Sequence, residues 1–149
     1  MTKIEFLKYL AKGWFATSQQ HSIHAQLLKA RGLNKLADKI MEESDEEWEE
    51  AKKVNARLIE LGETPAVEIE AYPVITDIKE MLEFDCKDAA EALPAMSKAL
   101  ALFDDDYVSK RMVEEFILDE QDHLNWLKGH LCLIEQIGME NYIIEMLGD

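Results

Sequence analysis

Hydrophobic positions recur with the period of an α-helix in four long segments of the chain. Apolar residues three and four apart predict helices with one buried face over about residues 3–30, 35–61, 76–103 and 107–136. A shorter apolar stretch predicts a fifth helix over 139–147. Gly32, Gly62 and Gly138 stand where three of the long helices should end, because glycine tolerates the left-handed backbone that commonly follows a helix. The pattern therefore predicts an all-α fold.

The connection between the second and third helices is long and has no helical period. Residues 62–75 contain Gly62, Pro65 and Pro73. So long a connection is unusual inside a compact domain. It makes sense if it runs the length of a bundle, so that the second and third helices lie parallel. We therefore predict one domain over residues 1–149, a four-helix bundle with a long crossover and a short C-terminal helix. Pro94 should kink the third helix.

Two helices place acidic residues on their apolar faces. The stripe of the fourth helix passes through Glu120, with His123 three residues on, and the stripe of the second passes through Glu47, with Glu50 three residues on. A carboxylate is rarely buried without a partner or a metal. This repetition favours a carboxylate-bridged metal site inside the bundle. Glu47 and Glu120 are placed to bridge two metals, and Glu50 and His123 to act as terminal ligands.

His21 lies on the inward face of the first helix and could reach the same depth. Carboxylate oxygens and imidazole nitrogens suit iron, manganese or zinc. The alternative for His21 and His24 is an ordinary core histidine with a backbone partner. The outer face of the second helix is dense in acidic residues, which are interpreted as solvated; they are Glu42, Glu43, Asp45, Glu46 and Glu49.

The net charge indicates which partners the protein can bind, and the cysteines indicate the redox state of its compartment. The formal net charge is −15, which would repel nucleic acid and attract cations, and no basic arm is present. Cys86 and Cys132 form no CxxC motif, so buried free thiols in a reducing compartment are predicted. No N-terminal run looks like a signal peptide, and no apolar run reaches spanning length. We expect a soluble, cytoplasmic protein that binds neither membranes nor, directly, nucleic acid.

The segment from Tyr107 to Leu127, with its D-E-x-x-H-x-x-W-L core starting at Asp119, resembles the fourth helix of bacterioferritins. The E-S-x-x-E run of residues 43–47 and the stretches at 24–25, 32–33, 61–65 and 137–142 match the family at consistent spacing. The resemblance implies a ferritin-like bundle and a di-iron ferroxidase centre within each subunit. It also implies a hollow 24-subunit shell that stores ferric mineral.

The resemblance assigns roles to part of the candidate set. Glu47 and Glu120 take the bridging places, and His123 takes a terminal place on one iron. Glu50 stands where the family has a histidine. His21 falls where the family has a tyrosine beside the metal, so this histidine could become a ligand.

Other positions depart from the family. Its first-helix glutamate falls at Trp14, and its third-helix glutamate falls at or near Ala89, where Asp85 or Asp88 could substitute. The haem-ligating methionine of bacterioferritins falls at Trp48. Because an indole cannot ligate iron as a thioether does, no haem is expected at that position.

Two functions follow as hypotheses. In the first, the protein binds and stores iron and has ferroxidase-type activity, oxidising Fe²⁺ with O₂ or peroxide at the carboxylate and histidine site. In the second, it is a ferritin-like structural or binding subunit whose degenerate site holds one metal or none. A homo-oligomeric shell is expected, with 24 copies favoured, and mixing with another type of subunit is an open alternative.

Overall fold

Four long α-helices make up most of residues 1–148, which the computed structural model describes. No strand occurs among these residues, so the prediction of an all-α chain is confirmed. The helices are α1 (Lys3–Ala30), α2 (Asn34–Glu60), α3 (Ile78–Ala99), which continues into a 3₁₀ turn (Leu100–Phe103), and α4 (Tyr107–Met146).

Glycines end the helices where the sequence predicts. Gly32 has φ +80° and follows the C-cap of α1, and Gly62 has φ +78° just after α2. Gly138 interrupts α4 with φ 79° and ψ 158°, so the residues from there to Met146 form a separate short helical segment. This segment confirms the predicted fifth helix.

Aspartates cap the beginnings of α3 and α4. Asp77 accepts a hydrogen bond of 2.9 Å from the backbone N–H three residues on, so α3 begins at Ile78 rather than at the predicted position 76. Asp106 accepts hydrogen bonds from the backbone N–H and the hydroxyl of Ser109, at 3.1 and 2.6 Å. α3 continues through Pro94 to Ala99, and the kink predicted at this proline stays a prediction.

The chain divides into two units. The first comprises Met1–Thr76 and the end of the chain from Ile143. In it α1 and α2 pack as an antiparallel pair joined by residues 31–33. The hydroxyl of Ser18 donates to the carbonyl of Ser44 at 2.8 Å, and that of Ser44 donates to the carbonyl of Ser18 at 2.7 Å. Small residues at this crossing let the two helices approach closely.

The long connection after α2 lies along α1. Four contacts follow in order: Lys12 with the carboxylate of Glu68, Gln20 with the carbonyl of Pro73, His24 with the backbone N–H of Ile75, and Arg31 with the carbonyl of Thr76. About 8 extended residues from Glu68 to Thr76 cover roughly 27 Å, and about 19 helical residues from Lys12 to Arg31 cover roughly 28 Å. The predicted long crossover is therefore confirmed.

The second unit is Asp77–Tyr142 and contains α3, the 3₁₀ turn and most of α4. Its core residues include Leu82, Phe103, Val113, Phe116 and Leu127, all of which are buried. Among the described residues, no helix is both long and apolar enough to cross a membrane.

Candidate metal centre

The inward face of α2 carries three buried carboxylates. Glu43, Glu47 and Glu50 are 7%, 5% and 9% exposed. Their spacing of four and then three residues keeps them on one side of the helix. The inward placement predicted for Glu47 and Glu50 is confirmed. The assignment of Glu43 to the solvated face is wrong, since it lies one turn before Glu47 and beside the buried Ser44.

His21 of α1 pairs with Glu47 of α2. Its Nδ1 lies 2.5 Å from Oε1 of Glu47, and both side chains are buried. The other ring nitrogen of His21, Nε2, is also buried. Metal-binding histidines commonly engage a carboxylate through one ring nitrogen and the metal through the other. Glu47 uses one of its two oxygens for the histidine. This pair therefore satisfies the buried carboxylate and has the donor arrangement of an oriented metal ligand.

A second pair of the same chemistry lies in the second unit. Nε2 of His123 on α4 is 2.9 Å from Oδ2 of Asp85 on α3, and both side chains are buried. Here the second buried ring nitrogen is Nδ1. Asp88, the other candidate on α3, is partly exposed. The buried acidic residue of α3 is therefore Asp85.

Glu120 lies one turn before His123 and is only partly buried. The sequence places it at a core position of α4, and the structure corrects this. Complete burial of a charge is costly unless it is paired or metal-bound. A glutamate side chain is long enough to keep contact with water while its Cα lies over the buried face.

The positions where the resemblance expects glutamates on α1 and α3 are filled by apolar residues. Trp14 and Ala89 are both buried and offer no metal ligand. Trp48, which stands in the place of the haem methionine, is 50% exposed. Its ring meets that of Phe15 edge-on with centroids 4.8 Å apart. Trp14 thus packs in the core, whereas Trp48 lies at the surface.

His24 and His130 lie outside the two histidine–carboxylate pairs and have hydrogen-bonding partners of their own. Nε2 of His24 accepts a hydrogen bond of 2.9 Å from the N–H of Ile75, which confirms the predicted backbone partner. His130 hydrogen-bonds Tyr142, a contact that the sequence does not reveal although the two residues flank Gly138.

The two cysteines are free thiols, as predicted. Cys86 is partly exposed and Cys132 is exposed, so their predicted burial is wrong.

The donor set fits a metal that accepts oxygen and nitrogen ligands. Each unit buries one histidine in contact with one carboxylate, and α2 adds two further buried carboxylates. Imidazole and carboxylate together suit iron, manganese or zinc. Each of the two pairs gives a buried imidazole and a buried carboxylate one hydrogen-bonding partner, which lowers the cost of holding them in the interior.

Comparison with known proteins agrees with this fold. The ferritin-like domain family matches residues 4–137. The chain is 32% identical to "Bacterial ferritin" of Pseudomonas aeruginosa over 143 residues, which cover 94% of this chain and 93% of that protein. It is 33% identical to "Bacterioferritin" of Brucella melitensis over 126 residues, covering 83% and 78%. It is 29% identical to "Bacterioferritin" of Rhodobacter capsulatus over 144 residues, covering 95% and 89%.

The family match and the four long helices together confirm the predicted ferritin-like four-helix fold. The match spans α1 to the Gly138 break in α4, so it contains every candidate ligand named above. The chain therefore belongs to the ferritin-like domain family and is a relative of the bacterial ferritins and bacterioferritins.

Proposed function

We propose that this protein binds and stores iron in the manner of a bacterioferritin and oxidises Fe²⁺ at a site within one subunit. The observation that supports this most strongly is the pair of buried histidine–carboxylate contacts, His21 with Glu47 and His123 with Asp85. They occur in a chain whose family is that of ferritins. In this proposal residues 1–149 act as one ferritin-like domain.

The ligands we propose are Glu47, Glu50, Glu120, His123 and His21. Glu47 and Glu120 bridge two metal positions, Glu50 and His123 are terminal ligands, and Glu47 orients His21. Fe²⁺ is the substrate, and it supplies the electrons that O₂ or peroxide accepts. The carboxylates hold the cations and balance their charge as it rises on oxidation.

Asp85 is our candidate for the ligand from α3. It is buried and already contacts His123, whereas Asp88 is partly exposed. A carboxylate at this position would replace the glutamate that the resemblance places near Ala89. Asp85 lies four residues before Ala89, about one helical turn, so the two positions share one face of α3.

The acidic net charge and the family also bear on how the protein assembles and where in the cell it acts. A formal net charge of −15 attracts cations to the protein and favours an acidic surface on which ferric iron can accumulate. We propose a closed shell with 24 copies favoured, in the cytoplasm, built from this chain alone or mixed with another subunit. Light scattering at micromolar concentration tests the shell, and a monomer or small dimer contradicts it.

A ferritin-like subunit with a degenerate site is the alternative. Trp14 and Ala89 favour it, because they replace two carboxylates of the resembling family with buried apolar groups. Such a subunit holds one metal or none and contributes to assembly. Replacing the tryptophan by glutamate (Trp14→Glu) supplies the missing ligand and, under this alternative, raises the number of irons bound per chain.

Anaerobic Fe²⁺ titration followed by air distinguishes the two functions. Two irons per chain and a fast ferric absorbance support the ferroxidase; one or none, with slow oxidation, supports the alternative. Glu120→Gln should abolish the fast phase, because the amide lacks the bridging charge. Asp119→Asn is the matched control, since it removes the same charge at an exposed neighbouring position. Equal rates in the two variants would contradict the proposed role of Glu120.

A further inference from the structure

A row of neighbouring aromatic rings leads away from His123 along α4. His123, Trp126 and His130 are three and four residues apart, so they share one face of the helix. The rings of His123 and Trp126 are nearly parallel, with an interplanar angle of 8° and centroids 6.3 Å apart. The rings of Trp126 and His130 are closer, with centroids 4.1 Å apart. These aromatic groups form a continuous series from the candidate metal ligand.

Tyr142 closes the far end of this row. In an uninterrupted helix, about 12 residues would place Tyr142 roughly 18 Å beyond His130. Instead, the backbone at Gly138 turns with φ 79°, and the hydroxyl of Tyr142 lies 2.8 Å from Nδ1 of His130. Tyr142 is 0% exposed. The break in α4 therefore brings a buried phenol into hydrogen-bonding contact with an imidazole.

This contact favours one-electron oxidation of a buried tyrosine. Loss of an electron makes the phenolic proton strongly acidic, and a cationic radical would be costly in a buried position. A base within hydrogen-bond distance can take the proton as the electron leaves. Desolvation by burial raises the pKa of Tyr142 well above its usual range. Burial thus favours the protonated phenol, and moving its proton to His130 as the electron leaves avoids a buried cationic radical.

We propose that Tyr142 and His130 form a proton-coupled redox site, which Trp126 connects to His123. In the oxidation step the O–H bond of Tyr142 breaks and its proton moves to Nδ1 of His130. One electron passes along the Trp126 ring to a one-electron oxidant at the His123 end. The product is a neutral tyrosyl radical hydrogen-bonded to an imidazolium. Tyr142 is the donor because it is buried and its hydroxyl contacts His130, whereas Tyr107 is 74% exposed.

The role that we assign to this Tyr142–His130 redox site rests on the iron-oxidising function proposed above. Reduction of hydrogen peroxide to two waters takes two electrons and two protons, but one Fe²⁺ supplies only one electron. Tyr142 supplies the second electron, and its proton goes to His130 while solvent supplies the two protons that the waters need. The products are Fe³⁺, two waters, the tyrosyl radical and protonated His130. A site that holds a single iron can then consume peroxide without releasing hydroxyl radical.

Photochemical oxidation of the metal-free, full-length protein tests the redox site itself. A tris(bipyridine)ruthenium(III) oxidant, generated by a light flash with persulfate, replaces the oxidant of the cell, and the radical is identified by electron paramagnetic resonance. We expect a tyrosyl signal that Tyr142→Phe removes and Tyr107→Phe leaves unchanged. His130→Gln should slow its formation by at least about 100-fold, the lower range for a positioned base. Trp126→Phe should slow it as well, without shifting the signal to another tyrosine.

Two results would overturn the proposal: a wild-type radical that persists in Tyr142→Phe, or a rate that is unchanged in His130→Gln while the variant remains folded by circular dichroism. Neither result depends on iron. The peroxide use is tested separately by adding one Fe²⁺ per chain and then peroxide under anaerobic conditions. If no iron binds in that experiment, the proposed ferroxidase function fails. The photochemical result still shows whether Tyr142 and His130 form a redox site.

Discussion

Replacing Glu47 with alanine should destabilise the metal-free protein far more than the same change two residues further on at Glu49. Glu47 is buried and its carboxylate contacts His21 at 2.5 Å. Removing one partner of such a pair leaves the other buried and uncompensated, which costs about 3–5 kcal/mol. Glu49 is exposed and pairs with Lys52 at the surface, a contact worth about 0–1 kcal/mol.

The matched control isolates the buried contact. Both variants remove the same carboxylate from the same helix, so the change in helix propensity nearly cancels. We therefore expect the free energy of unfolding to differ by roughly 3 kcal/mol between Glu47→Ala and Glu49→Ala. For a chain of this length, that difference corresponds to a melting temperature lower by roughly 6–12 °C. Urea unfolding and thermal melts at one fixed protein concentration measure both quantities.

We also expect Glu47 to contribute to stabilisation of the protein by Fe²⁺. If Glu47 is a ligand, Fe²⁺ should stabilise the wild type and Glu49→Ala against unfolding and should stabilise Glu47→Ala much less, since only binding to the folded state raises stability. Equal destabilisation by the two substitutions would refute the structural argument. Equal stabilisation of all three proteins by Fe²⁺ would refute the role of Glu47 as a ligand. Its contact with His21 would then serve stability alone.

Three further predictions use other features of the chain. Gly138→Ala should lower the free energy of unfolding by about 1–3 kcal/mol, because φ 79° with ψ 158° is a conformation that only glycine adopts readily. Gly129→Ala is the control: it lies in a helix, a Cβ there also meets nothing within 4 Å, and the change should stabilise the protein by about 0.5–1 kcal/mol. Equal shifts in denaturant midpoint would contradict this difference in backbone conformation. Asp106→Ala should cost about 1–2 kcal/mol through loss of the α4 cap, and the exposed Asp104→Ala should cost less than half of that in the same assay. Because burial raises the pKa of Tyr142, its contribution to stability is complete below about pH 10, the unfolded value, and declines as the pH rises further; urea midpoints from pH 8 to 11 should fall less in Tyr142→Phe, and parallel curves would refute this.

Much of the fold could be predicted because local chemistry determines it. The long helices show a period of 3.6 residues, and Gly32 and Gly138 mark two of their ends, with φ of +80° and +79°. The path of the connection could be inferred from its length and its lack of a helical period. The exact beginning of α3 could not, because it depends on which of several polar residues around position 76 acts as the cap, and Asp77 does so through its side chain.

The site could be predicted only in part. Glu47 and Glu50 were recognisable because they interrupt an apolar stripe, but Glu43 lies in a run of acidic residues that offers no apolar contrast. The partners of the two histidines were not recognisable either. His21 and Glu47 are 26 residues apart, and Asp85 and His123 are 38 apart, so their pairing depends on how the helices pack.

Iron binding within the subunit can be tested by iron-edge anomalous diffraction from crystals grown without metal and then soaked anaerobically in Fe²⁺. We expect anomalous peaks within ligand distance of Glu47, Glu120 and His123, with His21 still in contact with Glu47. The matched Glu120→Gln crystals should lose at least one of the peaks. Peaks confined to the acidic surface, with none at these residues, would contradict the account and leave a ferritin-like subunit whose fold no longer binds iron within the subunit.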